Sequence, residues 1–212
     1  MKKLLPILLL ILIGCSEPEP INKDELIYLD SIWLKDDKPY SGSVFSLYKE
    51  EHLSDKFMLE TFSYIIGKVK TEFILKDGKE NGLYVEYGFD EEVHMTGNMK
   101  DGKQDGLWKY FYGSNLFREF NFKDGVRDGP FKEYSHLSLH GQVLEEGTYK
   151  NDEPNGSYVK YYETGRIKEK GNYKDGLLHG EITTYDETGN PSFPKNYING
   201  KWDEVPPFWK KK

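Results

Sequence analysis

Cys15, the only cysteine of the 212-residue chain, is the first residue whose type and position suggest chemistry. A single cysteine excludes an internal disulfide, a Cys-x-x-Cys redox pair and a cysteine-based zinc site. It follows an apolar run from Leu4 to Ile13 that only Pro6 interrupts and that two lysines precede. A basic start followed by about ten apolar residues is typical of a secretory signal peptide and is too short for a transmembrane helix. Residues 1–14 are therefore predicted to be a targeting segment.

The tetrapeptide Leu12-Ile13-Gly14-Cys15 resembles the bacterial lipobox. That resemblance implies that the Cys15 thiol receives a diacylglyceryl group and that the chain is cut just before it. Two or more acyl chains anchor a protein stably, since each buried methylene contributes about 0.8 kcal/mol. We therefore predict a lipid-anchored protein of the bacterial cell envelope, in the outer membrane if the cell is Gram-negative. A plain secretory signal with an incidental cysteine is the alternative.

The other side chains with catalytic or metal-binding potential do not form a recognisable constellation. His136 and His140 are four residues apart, a metal-binding spacing on a helix. On a strand, the same spacing separates them by about 13 Å on one face. Adjacent acidic pairs such as Glu145-Glu146 point to opposite faces of a strand, and the common nucleophile, phosphate-binding and HExxH motifs do not occur. We predict no enzyme, no cofactor and no metal site.

Charge narrows the range of partners. The formal net charge is −7, and removing residues 1–14 with their two lysines moves it to about −9. Nucleic-acid binding depends on basic groups that neutralise phosphates, so an acidic chain with scattered lysines argues against it. The same charge argues against broad docking on anionic lipids. The predicted contacts are the membrane, through Cys15, and a protein partner of unknown identity.

An internal repeat dominates the rest of the chain. Its core is Asp-Gly-x-x-x-Gly followed by an aromatic two residues later, and the leading Asp or Asn recurs at 37, 77, 101, 124, 151, 175 and 199. Five of the six intervals are 23 to 27 residues, and the longer one contains a divergent insertion at about 49–62. The glycines that close the motif are interpreted as repeat turn glycines: Gly82, Gly106, Gly129, Gly156 and Gly180.

Each unit contains two segments with strand character. Segments such as 83–87 are rich in β-branched and aromatic residues, and segments such as 165–174 alternate polar and apolar residues with a period of two. Asp-Gly pairs supply the positive φ angles of tight turns. Helix is at most a minor feature, possible only over 23–29. The predicted fold is all-β, an elongated array of antiparallel β-hairpin repeats that forms a single twisted sheet.

This pattern divides the chain into five segments. Residues 1–14 are the signal peptide, 15–25 a flexible tether, 26–66 a divergent capping repeat, 67–202 the hairpin repeats and 203–212 a terminal cap. The last segment contains prolines and lysines, which typically blunt a sheet edge. A basic docking tail is the alternative.

Aromatic residues recur at two repeat positions. The first position contains Tyr84, Trp108, Phe131, Tyr158 and Ile182. The second contains the candidate binding residues Tyr87, Phe111, Tyr134, Tyr161 and Tyr185. The two positions are three residues apart and so have opposite parity, which requires either a bulge between them or one row facing outward. Either both rows belong to the core, or part of one forms a groove for a peptide or glycan.

Segments 169–176 (EKGNYKDG) and 105–110 (DGLWKY) resemble the MORN-repeat variant of bacterial proteins, in which copies of xGxYKDGxxxGxWxxY follow one another. Residues 38–44 (KPYSGSV) resemble the opening of such proteins, and the resemblance covers nearly all of 26–202. It implies an interaction or scaffolding array. Many such proteins are lipoproteins, and some are called antitoxin-like.

The function predicted from these observations is non-enzymatic binding or scaffolding of a protein, or of a glycan, by a membrane-anchored repeat protein of the cell envelope. One alternative is an antitoxin-like immunity protein that binds a single toxin. The other is an envelope glycan hydrolase, which would require a pair of acids, or a histidine and an acid, converging in one groove.

Overall fold

The structure is a computed structural model and describes residues 19–29, 31–49, 68–135 and 141–203. Cys15, His52, His136 and His140 lie outside these ranges, as do the predicted signal peptide and most of the predicted C-terminal cap. Within the described ranges the secondary structure is almost entirely β, with one short 3-10 helix at Lys23–Glu25. The predicted all-β class and the minor role of helix are confirmed.

The strands have the following bounds: β1 Ile21–Asn22, β2 Ile27–Leu29, β3 Ile32–Lys35, β4 Lys38–Pro39, β5 Gly42–Leu47, β6 Val69–Lys76, β7 Lys79–Tyr87, β8 Val93–Lys100, β9 Lys103–Tyr112, β10 Asn115–Lys123, β11 Val126–Tyr134, β12 Val143–Lys150, β13 Glu153–Pro154, β14 Gly156–Tyr161, β15 Ile167–Lys174, β16 Leu177–Leu178, β17 Gly180–Thr184, β18 Lys195–Ile198 and β19 Lys201–Asp203.

One sheet of sixteen strands runs the length of the described chain in sequence order from β5 to β19, with β1 beside β5. Every pairing in it is antiparallel except that of β1 with β5. The predicted array of antiparallel hairpins is confirmed. The structure adds a separate three-stranded sheet, β2-β3-β4, between β1 and β5. This small sheet forms the connection between β1 and β5. The connection is long enough for the chain to return, so that β5 lies beside β1 in the parallel direction.

The folded part begins before residue 26, where the sequence analysis ended the tether. Ile21 pairs with Val44, and Asn22 caps the 3-10 helix by accepting a hydrogen bond from the Asp24 amide at 3.1 Å. Residues 21–25 therefore cover the first edge of the large sheet. A short parallel strand at this position satisfies backbone groups that would otherwise be exposed at the edge.

Tight turns connect the two strands at one end of each unit. In the turn between β6 and β7, φ is 52° at Asp77 and 76° at Gly78, and the other Asp-Gly and Asn-Gly pairs repeat these values closely. Two successive positive φ angles define a type I′ turn, whose twist matches that of the flanking strands. The predicted role of these pairs is confirmed. In the first copy the turn is Asp36–Asp37, one residue earlier than the repeat alignment placed it.

The second glycine of the motif is not in a turn, contrary to the sequence interpretation of Gly82, Gly106, Gly129, Gly156 and Gly180. Glu80 pairs with Leu75 and Tyr84 pairs with Phe73, so residues 81–83 lie opposite the single residue 74. Gly82 takes a φ of +115° inside this bulge. The other four are at equivalent positions, either within a strand or at its first residue, also with positive φ. Extra residues in one strand require a backbone conformation that glycine adopts without steric cost.

The first aromatic position forms the core on one face of the sheet. Trp108 is 1% exposed, Tyr158 2% and Phe131 7%. Neighbouring rings are in contact, with centroids 5.6 Å apart for Tyr84 and Trp108. Glycine leaves room for these rings on the adjacent strand, because a Cβ at Gly97 would lie 2.3 Å from the Trp108 ring. We call this side of the sheet the core face.

Candidate functional site

The second aromatic row (Tyr87, Phe111, Tyr134, Tyr161 and Tyr185) lies on the face opposite the core. In β7, the pairing with β6 is regular from Tyr84 to Glu86, so side chains alternate and Tyr87 points away from Tyr84. Hydrogen bonds agree with this alternation. The Tyr84 hydroxyl contacts Glu86, two residues along the same face, whereas the Tyr87 hydroxyl contacts Glu72. We call this side the tyrosine face.

A bulge does occur beside four members of the row, Tyr87, Phe111, Tyr134 and Tyr161, but in the partner strand. Between β7 and β8, Glu86 pairs with Met95 and Tyr87 pairs with Val93, so His94 is the extra residue. Paired residues share a face, and the bulge thus turns Val93 towards Tyr87. The same shift gives the next three aromatics an aliphatic partner, in the pairs Phe111–Leu116, Tyr134–Val143 and Tyr161–Ile167; Tyr185 instead bridges Pro191. The result is a stripe of alternating aromatic and aliphatic side chains along the tyrosine face.

Three tyrosines of the row are tied to glutamates of the tyrosine face. In each case the hydroxyl donates to a carboxylate 15 residues earlier in the chain. The oxygen–oxygen distances are 3.2 Å for Tyr87–Glu72, 2.7 Å for Tyr134–Glu119 and 2.7 Å for Tyr161–Glu146. A hydrogen bond to a charged acceptor is stronger than a neutral one, so these contacts fix the ring orientations.

The two other members of the row, Phe111 and Tyr185, do not have a glutamate 15 residues earlier in the chain. Phe111 has no hydroxyl, and the residue 15 positions before it is Thr96, whose own hydroxyl donates to the Tyr84 carbonyl at 3.0 Å. Tyr185 has Lys170 at the same distance in sequence, with the ammonium 5.6 Å from the ring centroid. Phe111 is therefore the one member of the row without a polar tie to its own unit.

Lysines complete the charge balance of the tyrosine face. Lys109 Nζ is 3.6 Å from Glu119, and Lys132 Nζ is 3.4 Å from Glu146. Each of these glutamates therefore has a tyrosine hydroxyl on one side and an ammonium group on the other. The pairs are partly exposed and contribute little to stability individually, but they leave few uncompensated charges at the centre of the face.

The environment of these phenols raises their pKa further above neutral pH. Burial, followed by the charge of Glu72, raises the pKa of Tyr87 to about 12. For Tyr161, the hydrogen bond to Glu146 is the largest cause and raises the pKa to about 12. Burial and the bond to Glu119 likewise raise the pKa of Tyr134. The hydroxyls therefore act as hydrogen-bond donors to carboxylates and do not act as bases.

Sequence reasoning selected the aromatic row but missed its apolar neighbours. Leu83 and Leu107 are 51% and 41% exposed, and their even spacing from Tyr87 and Phe111 puts them on the tyrosine face. Both follow the bulge glycine directly, so the repeat alignment could have identified them. Later units have Pro130, Ser157 and Glu181 at this position. At this repeat position, apolar side chains are thus confined to the first two units.

The described residues show no assembled catalytic or metal site. Among them, no group of three or more histidine, cysteine or acidic side chains could hold a metal ion. His94 is beside Asp90 at 3.3 Å, and the buried His179 Nδ1 has no hydrogen-bond partner among the described residues. In the same part of the chain, no helix has the length and apolarity needed to cross a membrane.

Comparison with protein families identifies one unit directly. Residues 154–175 match the MORN repeat variant. This stretch contains β14 and β15 with their connection, which is one complete hairpin of the array. MORN repeats are generally associated with binding or scaffolding and are generally non-catalytic. No curated protein matches the chain.

Proposed function

We propose that this chain is a lipid-anchored, non-enzymatic binding protein of the bacterial cell envelope and that its tyrosine face contacts a protein partner. The observation that carries the proposal is the second aromatic row, a continuous stripe of half-buried rings on the face opposite the core. Aromatic side chains supply much of the binding energy at protein interfaces, because they bury a large area at a low entropic cost.

The centre of the proposed contact is in the first two units. Phe111 has no polar tie, and the exposed Leu107 precedes it by four residues on the same strand face. Leu83 extends this apolar area into the preceding unit. Around it, Lys109 and Glu119 are paired with each other. An apolar centre bordered by compensated charges is the usual composition of a protein interface.

In the proposed function, lipidation of Cys15 supplies the membrane attachment. The acidic array has no need to bind headgroups if Cys15 carries two or more acyl chains. Ile21 is the first strand residue of the described ranges, so five residues, 16–20, separate it from Cys15 and the connection spans at most roughly 20 Å. A tether of this length would hold the first repeat units, and with them Leu83 and Phe111, near the membrane surface.

Site-specific photo-crosslinking in intact cells tests the proposed face. A photoreactive phenylalanine analogue at Phe111 is expected to give a discrete protein adduct. The matched control places the same analogue at Tyr112, which is 70% exposed but has the opposite strand parity. Equal adducts from both positions, or none from Phe111, would contradict the proposed face. An adduct with a single toxin would narrow the function to immunity.

Lipidation has its own test. Metabolic labelling with palmitate is expected to label the parent chain and to fail for Cys15→Ser. The variant should also leave the membrane fraction. Labelling that persists in Cys15→Ser would show that another residue carries the lipid, and the anchoring part of the proposal would then be wrong.

A further inference from the structure

A polar cavity lies at the other side of the first units, on the core face. It has a volume of about 410 Å³ and opens between β5, β6, β7 and the 3-10 helix. Small-molecule sites typically have volumes of about 300–1,000 Å³. The lining includes ammonium groups, carboxylates, hydroxyls and two aromatic rings; the residues that matter below are Lys23, Lys70, Thr71, Glu80, Tyr84 and Glu86.

Several of the lining groups already have partners. Lys49 forms an ion pair with Asp24 at 2.8 Å. The Tyr84 hydroxyl donates to Glu86 at 3.2 Å. The hydroxyls of Ser46 and Thr71 are hydrogen-bonded to each other. These contacts account for several of the polar groups in the lining.

Two opposite charges in the lining do not pair with each other. The Lys23 ammonium lies 4.7 Å from the centroid of the Trp33 ring, and no carboxylate of the described residues is within ion-pair distance of it. Glu80 has no hydrogen-bond donor among the described side chains. Burial raises the pKa of Glu80, and the charge of Lys23 opposes that rise. Both groups line the cavity, and no ion pair joins them.

We propose that this cavity binds a small zwitterion, an amino acid or short peptide with free amino and carboxylate groups. The ligand carboxylate would contact Lys23, and its ammonium group would contact Glu80. A simple anion would instead meet Glu80 and Glu86, and a simple cation would meet Lys23 and Lys70. A ligand with both charges suits this lining, because the half-buried Lys23 and Glu80 each then gain an oppositely charged partner.

This site is separate from the proposed partner surface. It lies on the core face, whereas the second aromatic row lies on the tyrosine face. A change at Glu80 should therefore leave the Phe111 crosslink intact, and loss of the crosslink should not affect the cavity. The two proposals can fail independently.

Calorimetric titration of the full chain in detergent with L-alanyl-L-alanine tests the proposal. We expect saturable binding of this dipeptide at pH 7. Its N-acetyl form, which has lost the ammonium group, and its C-terminal amide, which has lost the carboxylate, are expected to bind at least roughly tenfold more weakly. Maltose, a neutral polyol, should not bind.

Two variants and one control connect the binding to the cavity. Lys23→Met and Glu80→Gln should each weaken dipeptide binding by roughly tenfold or more. Lys174→Met removes the same charge from the exposed end of a strand in another unit and should bind like the parent. Thermal unfolding of each variant verifies that it is folded. No dipeptide binding to the folded parent, equal binding of the blocked forms, or binding of maltose instead would overturn the proposal.

Discussion

The two faces of the sheet use aromatic residues in different ways. On the core face, Trp108 is 1% exposed and its ring contacts the rings of Tyr84 and Phe122. On the tyrosine face, Tyr134 is only half-buried and is held by a hydroxyl–carboxylate bond to Glu119. Contacts between rings thus stabilise the core face, whereas hydrogen bonds to carboxylates orient the rings of the tyrosine face.

This difference shows how one repeat serves both stability and recognition. Buried rings contribute through the apolar area that they remove from water. A ring held by a hydrogen bond at the surface contributes less to folding but keeps a fixed orientation, which lowers the entropic cost of binding. Substitutions on the core face should therefore mainly alter stability, and substitutions on the tyrosine face should mainly alter binding.

The largest effect is expected for Trp108→Ala. Removing this ring leaves a cavity beside Gly97 and should lower the free energy of unfolding by about 3–5 kcal/mol. Phe111→Ala, three residues later on the other face, is the matched control and should cost about half as much or less, since its ring is only half-buried. Urea unfolding followed by circular dichroism measures both. Equal costs would show that the two faces do not differ as described.

Gly97→Ala should come next. The new Cβ would meet the Trp108 ring at 2.3 Å, and overpacking of this kind costs about 1–3 kcal/mol. The Trp108 indole N–H, which donates to the Asn98 carbonyl at 3.0 Å, should shift in the NMR spectrum.

Gly106→Ala separates this contact from backbone strain. At Gly106 φ is +75° and a Cβ would have no neighbour within 4 Å, so only a conformational cost of about 1–2 kcal/mol is expected. The Trp108 indole resonance should stay near its parent position. If the Trp108 resonance moves as far as it does in Gly97→Ala, the shift in Gly97→Ala cannot be attributed to close packing of Gly97 against the ring.

A smaller effect is expected for Tyr134→Phe. Loss of the bond to Glu119 should lower the free energy of unfolding by about 0.5–1.5 kcal/mol, because the pair is partly exposed. Phe111→Tyr should bring no comparable gain, since Thr96 offers no carboxylate. Combined with Thr96→Glu, however, Phe111→Tyr should install the missing bond. A double-mutant cycle in urea unfolding measures the coupling, and a coupling of zero would contradict the repeated Tyr–Glu geometry.

The smallest effect contrasts two adjacent glutamates. Burial is the main cause that raises the pKa of Glu145 on the core face, and Lys160 opposes it. A raised carboxyl pKa favours the folded state at low pH, and this advantage is lost as pH rises through the folded-state pKa. Glu145→Gln should therefore stabilise the protein at pH 7 by less than about 1 kcal/mol and have no such effect near pH 4.

Glu146→Gln is the control on the tyrosine face and should have the opposite sign at pH 7. It weakens the bond from Tyr161 and the ion pair with Lys132. Thermal unfolding of both variants between pH 4 and pH 7 measures the difference. The assignment of Glu145 and Glu146 to opposite faces fails if both variants shift the unfolding temperature in the same direction.

Much of the fold was predictable because its determinants are local. Asp77-Gly78 and its repeats adopt positive φ at both turn residues, as the residue types require. Strand periodicity identified the segments, and the repeat interval identified the hairpins. The role of Gly82 was not predictable in the same way, because a turn and a bulge both require positive φ and only strand pairing distinguishes them.

The sequence by itself determined the lipobox resemblance at Cys15, the hairpin repeat, the tight turns and the two aromatic positions. Each depends on residue type and spacing along the chain. Only the tertiary structure decided that the second aromatic row opposes the core, that partner-strand bulges bring Val93 and its equivalents beside it, and that Lys23 and Glu80 share a cavity. These features depend on which strands pair and with what offset, and a one-residue offset reverses the face on which a side chain lies.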